Sequence, residues 1–202
     1  MTPPRLVLAS ASPRRRELLA QLGVEFGVVS VDVEEIPLSG EDAEHYVRRV
    51  AAAKSAAGQA GDVAGMAVIA ADTEVVLDGE IFGKPRDRSH AAAMLRRLSG
   101  RTHRVISAVS LRRGPDHWQS ISDSNVSFRD LSEIEIDAYW NSGEPRDKAG
   151  AYAIQGRGAI FIRHLEGSYS GVMGLPLYQT ARLLAEAGLA PAWLLGAGAG
   201  SP

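Results

Sequence analysis

Four short stretches concentrate the residue types that do chemistry on phosphates. The first is Ser10-Ala11-Ser12-Pro13-Arg14-Arg15-Arg16, two small hydroxyls followed by three guanidiniums. Ser12 suits a helix N-cap, and Pro13 suits the first helical position, where a missing N–H costs nothing. Free N–H groups and the macrodipole at such a helix start favour an anion. A single arginine there would read as a solvated helix end; three behind two serines point to a phosphate. The second stretch is Asp32-Val33-Glu34-Glu35. Its carboxylates are either solvent decoration or oxygen ligands for a hard divalent cation, as hydrolysis of a polyphosphate would require. The third is Asp72-Thr73-Glu74, and the fourth is Gly83-Lys84-Pro85, where a small residue lets a ligand approach beside a cation.

The elements around these residues decide whether they meet. Arg5-Leu6-Val7-Leu8-Ala9 reads as a short buried strand feeding the first helix, which Gly23 ends. Val24 to Val31 has strand composition and runs into the acidic loop. Glu41 to Ala57 reads as an alanine-rich helix with Val47, Val50 and Ala51 on its apolar stripe. Lys54 falls on that stripe, and a lysine so placed most often snorkels its ammonium to water. The residues alone favour snorkelling, with a reach into a cleft as the alternative.

Met66 to Ala71 is a continuous apolar run, the pattern of a strand buried on both faces. Asp72-Thr73-Glu74 then lies at its carboxyl end, where open α/β sheets place their ligands. Val75 to Phe82 reads as a hairpin turning at Asp78-Gly79, and its return arm carries Lys84 back towards Asp72.

Asp87 to Leu98 is a second alanine-rich helix. His103 to Arg112 and Trp118 to Arg129 are two long strands joined at Gly114-Pro115-Asp116, predicted as an antiparallel pair. Ser132 and Glu135 form a capping box that opens a helix to Trp140, read as structural. Gly143 to Gly156 mixes glycines, charges and a short strand, which suits a loop feeding a pocket. Within it, the Gln155 amide can both donate and accept, which fits reading a base edge. Ala159 to Leu165 is a further strand, Gly167 to Gly171 a flexible polar loop, and Gly174-Leu175-Pro176 opens an amphipathic helix through Ala187.

The 202 residues suffice for one sizeable α/β domain, and 45% hydrophobic with 23% charged residues is ordinary for a globular chain. A net charge of −2 argues against non-specific nucleic-acid binding. With no cysteine, disulfides, thiolate catalysis and zinc–thiolate sites are all excluded. The sequence shows neither a signal-peptide pattern nor an apolar run long enough for a bilayer, so a cytoplasmic protein without membrane partners is expected.

Ser10-x-Ser12-Pro13-Arg14-Arg15, Ala71-Asp72-Thr73, Gly83-Lys84-Pro85, Asp147-Lys148-Ala149-Gly150-Ala151-Tyr152 and Gly167-Ser168-Tyr169 occur in this order. Together they resemble the Maf family of nucleoside triphosphate pyrophosphatases, whose fold is similar to that of the inosine triphosphatases. The resemblance implies an α/β fold with a mixed, twisted sheet flanked by helices. Residues 1–189 would form one domain of two lobes around a central cleft; from Ala190 onward Gly, Ala, Pro and Ser dominate, so 190–202 is expected as a flexible tail.

It also implies that Ser10, Arg14 and Arg15 lie at the triphosphate end, that Lys54 and Lys84 meet phosphate oxygens, and that Glu35 and Asp72 form an acidic centre. Asp72 corresponds to the family's proposed proton acceptor, and Glu35 and Asp72 would hold Mg²⁺ or Mn²⁺. The run Lys148 to Gly156 looks like the branch acting on dTTP and UTP, in which Arg14, Thr73 and Gln155 are associated with base choice. The alternatives are the same chemistry on 7-methyl-GTP or another modified nucleotide, and a nucleotide-binding regulator of cell division. A homodimer is implied as well. Two residues depart from the pattern: Glu74 replaces an apolar residue, and Gly171 stands where asparagine is usual.

Overall fold

In the computed structural model, which describes residues 5–61, 63, 65–191 and 193, the apolar run Leu6–Ala9 forms β1 with all four residues buried. Ser12 caps α1 (Pro13–Ala20) through its side chain, with Pro13 in the first turn, as its sequence predicts. There follow β2 (Gly27–Val29), α2 (Ala43–Gln59), β3 (Ala67–Leu77), β4 (Glu80–Ile81) and α3 (Arg88–Leu98). The long strands β5 (Thr102–Arg113) and β6 (Asp116–Phe128) come next, then α4 (Glu133–Asn141). Three 3-10 turns (Glu144–Asp147, Ala149–Ala151 and Arg157–Phe161) lead to β7 (Ile162–Glu166), α5 (Tyr169–Met173) and α6 (Leu177–Glu186).

Among the described residues seven strands make one mixed sheet, ordered β2-β1-β3-β5-β6-β7, with β4 beside β3. β1 runs parallel to β2 and β3, and every other pairing is antiparallel. Side chains alternate across a strand, so each face carries its own core. On one face, α1 and α6 bury Leu18, Leu19, Leu183 and Leu184 against Leu8, Ile69, Ala71, Val109 and Leu111. Further along that face, α3 and α4 cover Val75, Leu77, Val105 and Phe128. The other face is covered by α2, whose Tyr46, Val47 and Val50 meet Val76, Ile106 and Ala108. Each large apolar side chain so buried stabilises the fold by about 1.5–3 kcal/mol.

Several elements differ from the sequence expectations. β2 is limited to three residues, because Val24 and Phe26 pack beneath α1 and α6 instead of extending the sheet edge. β3 does not end at Ala71. It continues through Asp72-Thr73-Glu74 to Leu77, held by an unbroken register with β5 from Val68↔Arg112 to Val76↔Arg104. The passage Gly143 to Gly156 holds 3-10 turns in place of a short strand, with Gly143 and Gly150 at φ of 78° and 66°. β7 begins only at Ile162, after the third 3-10 turn.

The polar loop at Gly167 to Gly171 is in part helical, as α5, capped by the Ser168 hydroxyl. Gly171 belongs there for want of space, since a Cβ would lie 2.8 Å from Ser122 Oγ. The tail expected over 190–202 lies outside the described residues apart from Ala190, Pro191 and Trp193. The Trp193 indole donates to Leu22 O at 2.8 Å.

Candidate active site

The site lies at a gap in the sheet. β1 pairs with β3 only as far as Leu8↔Ile69, and β4 pairs with β3 only at Val76↔Ile81 and Leu77↔Glu80, with Phe82 N donating to Val75 O just beyond. Between them, residues 70–74 of β3 pair with neither neighbour on that edge, and a cleft of about 360 Å³ opens beside them. That volume suits a small-molecule ligand. The polar triad occupies this interval, so Asp72 is a mid-strand residue beyond the end of its parallel neighbour, which still places it outside the carboxyl end of β1. Alternation sends Asp72 and Glu74 towards the α2 face and Thr73 to the other. Thr73 Oγ1 shares a 2.7 Å hydrogen bond with Ser107 Oγ, and this polar pair separates the two apolar cores of its own face.

Lys54 does not snorkel. It is only 7% exposed, and its ammonium lies 2.7 Å from both Glu35 Oε1 and Asp72 Oδ1. Small residues on α2 permit this reach. A Cβ at Gly58 would come within 2.8 Å of Ala9 Cβ and Val68 Cγ1, so only glycine allows helix and sheet to approach this closely. Lys84, returned by the hairpin, sits 3.2 Å from Glu35 Oε2. The hairpin itself turns at Asp78-Gly79 with φ of 53° and 81°, the mirror-image turn its sequence predicts.

The helix start supplies the opposite wall. Ser10 is buried and its Oγ accepts from Ser12 N. Arg15 Nε donates to Gly174 O at 2.9 Å, and Arg14 reaches 3.4 Å to Asp147 across the cleft. Arg16 is exposed and stays outside the lining, so two of the three arginines are brought together. Gln155 lines the cleft beside Tyr152, Ala153 and Ile154. Gly150 N bonds Gly83 O at 2.9 Å, and a Cβ on Gly150 would strike Val75 at 2.9 Å, which pins this passage to the hairpin.

Charge in the cleft is unevenly compensated. Burial would raise the Glu35 pKa, yet hydrogen bonds and attraction from Lys54 and Lys84 bring it below the ordinary value. Glu74 goes the other way. Burial first, then repulsion from Asp72 and Glu35, push it up to about 8, against the pull of Lys84 and the Gly83 amide. Burial also lowers Arg15, against the attraction of Asp72 and Glu35. Asp72 Oδ2 and Glu74 Oε2 are buried with no hydrogen-bond partner among the described residues. A carboxylate-only donor set of this kind suits a hard, oxygen-seeking cation, and the unpartnered Asp72 Oδ2 offers a ligand atom for one. Among the described residues, no group of three or more His, Asp or Glu is arranged to hold an ion unaided.

Sequence reasoning missed three features. Glu74 stands in a chemistry-bearing stretch and departs from the family pattern, but its burial follows from strand continuity that no local pattern reveals. Asp147 pairs with Arg14 and Lys148, a role that its place in the Asp147–Tyr152 motif does not reveal. His103 donates or accepts at 2.8 Å to the Tyr152 hydroxyl behind the cleft wall, and the alternation of β5 could have placed it inward.

Cations on two sides of a gap, carboxylates at its floor and an amide at its rim define a protein built to take a phosphorylated ligand. The chain belongs to the Maf-like protein family, whose model matches residues 5–187. It is 66% identical to the dTTP/UTP pyrophosphatase of Methylococcus capsulatus, with 95% of each chain covered. It is 50% identical to the dTTP/UTP pyrophosphatase of Aromatoleum aromaticum, covering 91% of this chain and 96% of that one. It is 51% identical to the dTTP/UTP pyrophosphatase of Pectobacterium atrosepticum, covering 90% and 92%. Among solved structures, the Staphylococcus aureus Ham1 protein aligns over 95% of this chain and 98% of its own at 17% identity, with a TM-score of 0.49. No helix among the described residues is long and apolar enough to cross a membrane.

Proposed function

We propose that this chain hydrolyses dTTP and UTP to the nucleoside monophosphate and pyrophosphate. The observation that carries the reading is the Asp72 carboxylate. One oxygen is tied to Lys54 at 2.7 Å, the other is buried and unpartnered, and both lie in a cleft rimmed by Arg14, Arg15 and Lys84. The relatives named for this activity support it.

A nucleoside triphosphate brings about four negative charges near neutral pH, which guanidinium and ammonium groups must offset. Arg14, Arg15, Lys54 and Lys84 bind those oxygens, with Ser10 at the same end. Asp72 orients a water and takes its proton as the water oxygen bonds the α-phosphorus. The bond from that phosphorus to the α,β-bridging oxygen breaks, and the electron pair leaves with pyrophosphate. The cations stabilise the charge that develops on the leaving group. Glu35 and Asp72 fit a Mg²⁺ or Mn²⁺ ion, Glu35 helping to hold it while Asp72 takes the proton, or the reverse; the ion would supply Lewis-acid polarisation of phosphoryl oxygens when bound. Such ions are held by one or two carboxylates with the remaining ligands from water and phosphate. Thr73 and Gln155, with Arg14, select the base. The same reading includes a homodimer, supported by the family resemblance, and a cytoplasmic setting.

The test is product analysis after incubating the purified chain with a panel of nucleoside triphosphates and Mg²⁺ or Mn²⁺. UMP and dTMP appearing with pyrophosphate, with little turnover of purine nucleotides, is the expected result. Nucleoside diphosphate with orthophosphate would refute the scissile bond. Binding without turnover on any base would replace the enzyme with a nucleotide-binding regulator.

A further inference from the structure

The helix α4, read from sequence as structural, contributes more than packing. Its Tyr139 is buried, and the hydroxyl sits at the centre of a small hydrogen-bonded group. The hydroxyl donates to Glu144 Oε1 at 2.7 Å and accepts from the Ala153 backbone N–H at 3.0 Å. Glu144 in turn accepts from Arg157 N at Oε2 and Gly158 N at Oε1, both at 3.0 Å. Ala153 and Arg157 stand two residues either side of Gln155. One tyrosine–glutamate pair therefore grips the backbone before and after the glutamine.

The glycines of this segment are fitted to the grip. A Cβ at Gly156 would lie 2.7 Å from Glu144 Oε2, and one at Gly158 would lie 2.6 Å from the Tyr139 hydroxyl. Gly156 also adopts a φ of 90°, which side chains other than hydrogen rarely allow. The pair is itself anchored, because Lys148 Nζ donates to Glu144 O at 2.6 Å and to Asp147 Oδ1 at 2.6 Å. Asp147 then faces Arg14 across the cleft. Backbone N–H groups donating to a carboxylate make charge-assisted bonds, about twice as strong as neutral ones.

We propose that Tyr139 and Glu144 are positioning residues for base selection, holding the backbone on both sides of Gln155 so that its amide meets the pyrimidine edge in one fixed geometry. This rests on the reading above that Gln155 reads the base. A selective amide must be held to within about half an ångström and 10–20° of its productive geometry, which a glycine-rich loop cannot do unaided. Neither residue touches the reacting phosphates, so loss of the grip weakens recognition while leaving the phosphate chemistry in place.

The experiment compares Tyr139→Phe, Glu144→Gln and Gln155→Ala with the parent chain, measuring kcat and KM for UTP, dTTP, CTP and GTP. Tyr139→Phe removes both bonds of the hydroxyl at nearly constant volume. Glu144→Gln keeps the shape but faces Arg157 or Gly158 with a donor, and serves if Tyr139→Phe folds poorly. The expected outcome is a KM for UTP and dTTP raised about ten-fold with little change in kcat, and a preference over CTP reduced by a similar factor. A double variant Tyr139→Phe/Gln155→Ala loses no more preference than Gln155→Ala alone, since the grip has nothing left to position.

A fall in kcat/KM by one common factor on all four nucleotides would mean the pair merely stabilises the fold, and overturns the proposal. Preference relaxed by Gln155→Ala yet kept by both grip variants overturns the proposal and leaves the reading of Gln155 standing. Preference unchanged by Gln155→Ala removes that reading, and the grip's role in selection falls with it.

Discussion

The Lys54 ammonium lies 2.7 Å from Asp72 Oδ1, with the two residues only 7% and 3% exposed. A charge pair this buried is held against a large desolvation cost by its geometry and by the second carboxylate at Glu35. Lys54→Met leaves Asp72 uncompensated beside Glu35, and a loss of about 3–5 kcal/mol in urea unfolding at neutral pH is expected. The double variant Lys54→Met/Asp72→Asn regains part of that loss, because the orphaned charge is gone. Equal stability of the parent and Lys54→Met would show that water screens the pair.

Asp72→Asn keeps shape and the approach to Lys54 while removing the proton acceptor. kcat falls by about 10²–10⁴ on UTP, the range a positioned general base contributes. Nucleotide affinity, measured by calorimetry, stays within a few-fold of the parent. Unchanged turnover in this variant would assign the proton transfer elsewhere.

Glu74 makes stability depend on alkaline pH. Its folded pKa is about 8 against an ordinary value of 4.5. Between those values the folded chain holds a proton that the unfolded chain has released, so stability falls as pH rises through the window. The full penalty, on the order of a few kcal/mol, is present above about pH 8. Glu74→Gln flattens that limb, and melting temperature against pH reads it directly. A variant whose profile overlays the parent would place the Glu74 charge in contact with solvent.

His103 acts on the acid side with the opposite sign. Burial lowers its pKa from 6.5 to about 4. In that interval the unfolded chain takes up a proton that the folded chain refuses, so stability is lost as pH falls from 6.5 to about 4. Its share is on the order of 3 kcal/mol. His103→Gln retains a partner for the Tyr152 hydroxyl and does not titrate. Its acid limb in the same melting series is therefore shallower than the parent's.

Backbone signals set by near neighbours were legible in the sequence. Ser12 and Pro13 start α1, Asp78-Gly79 turns the hairpin, and the Ser132–Glu135 capping box opens α4. Each depends on the geometry of three or four consecutive residues, which the residue types decide without the rest of the chain. The residues that the family resemblance assigns, Ser10, Arg14, Arg15, Glu35, Lys54, Asp72, Thr73, Lys84 and Gln155, all line one cleft.

Tertiary structure decided what happens between distant residues. By stripe position alone Lys54 would extend to water; its ammonium turns inward because Glu35 and Asp72, 19 and 18 residues away in the chain, converge on it. By local pattern Asp72 reads as a strand end, because a polar triad ordinarily stops an apolar run. β5 pairs straight through it, and only the shorter β1 and β4 leave its edge open. The burial of Glu74 and the grip of Tyr139 and Glu144 on the Gln155 segment arise in the same way. Local sequence sets dihedral angles and caps, whereas the energy of a buried charge depends on which partners the whole fold delivers to it.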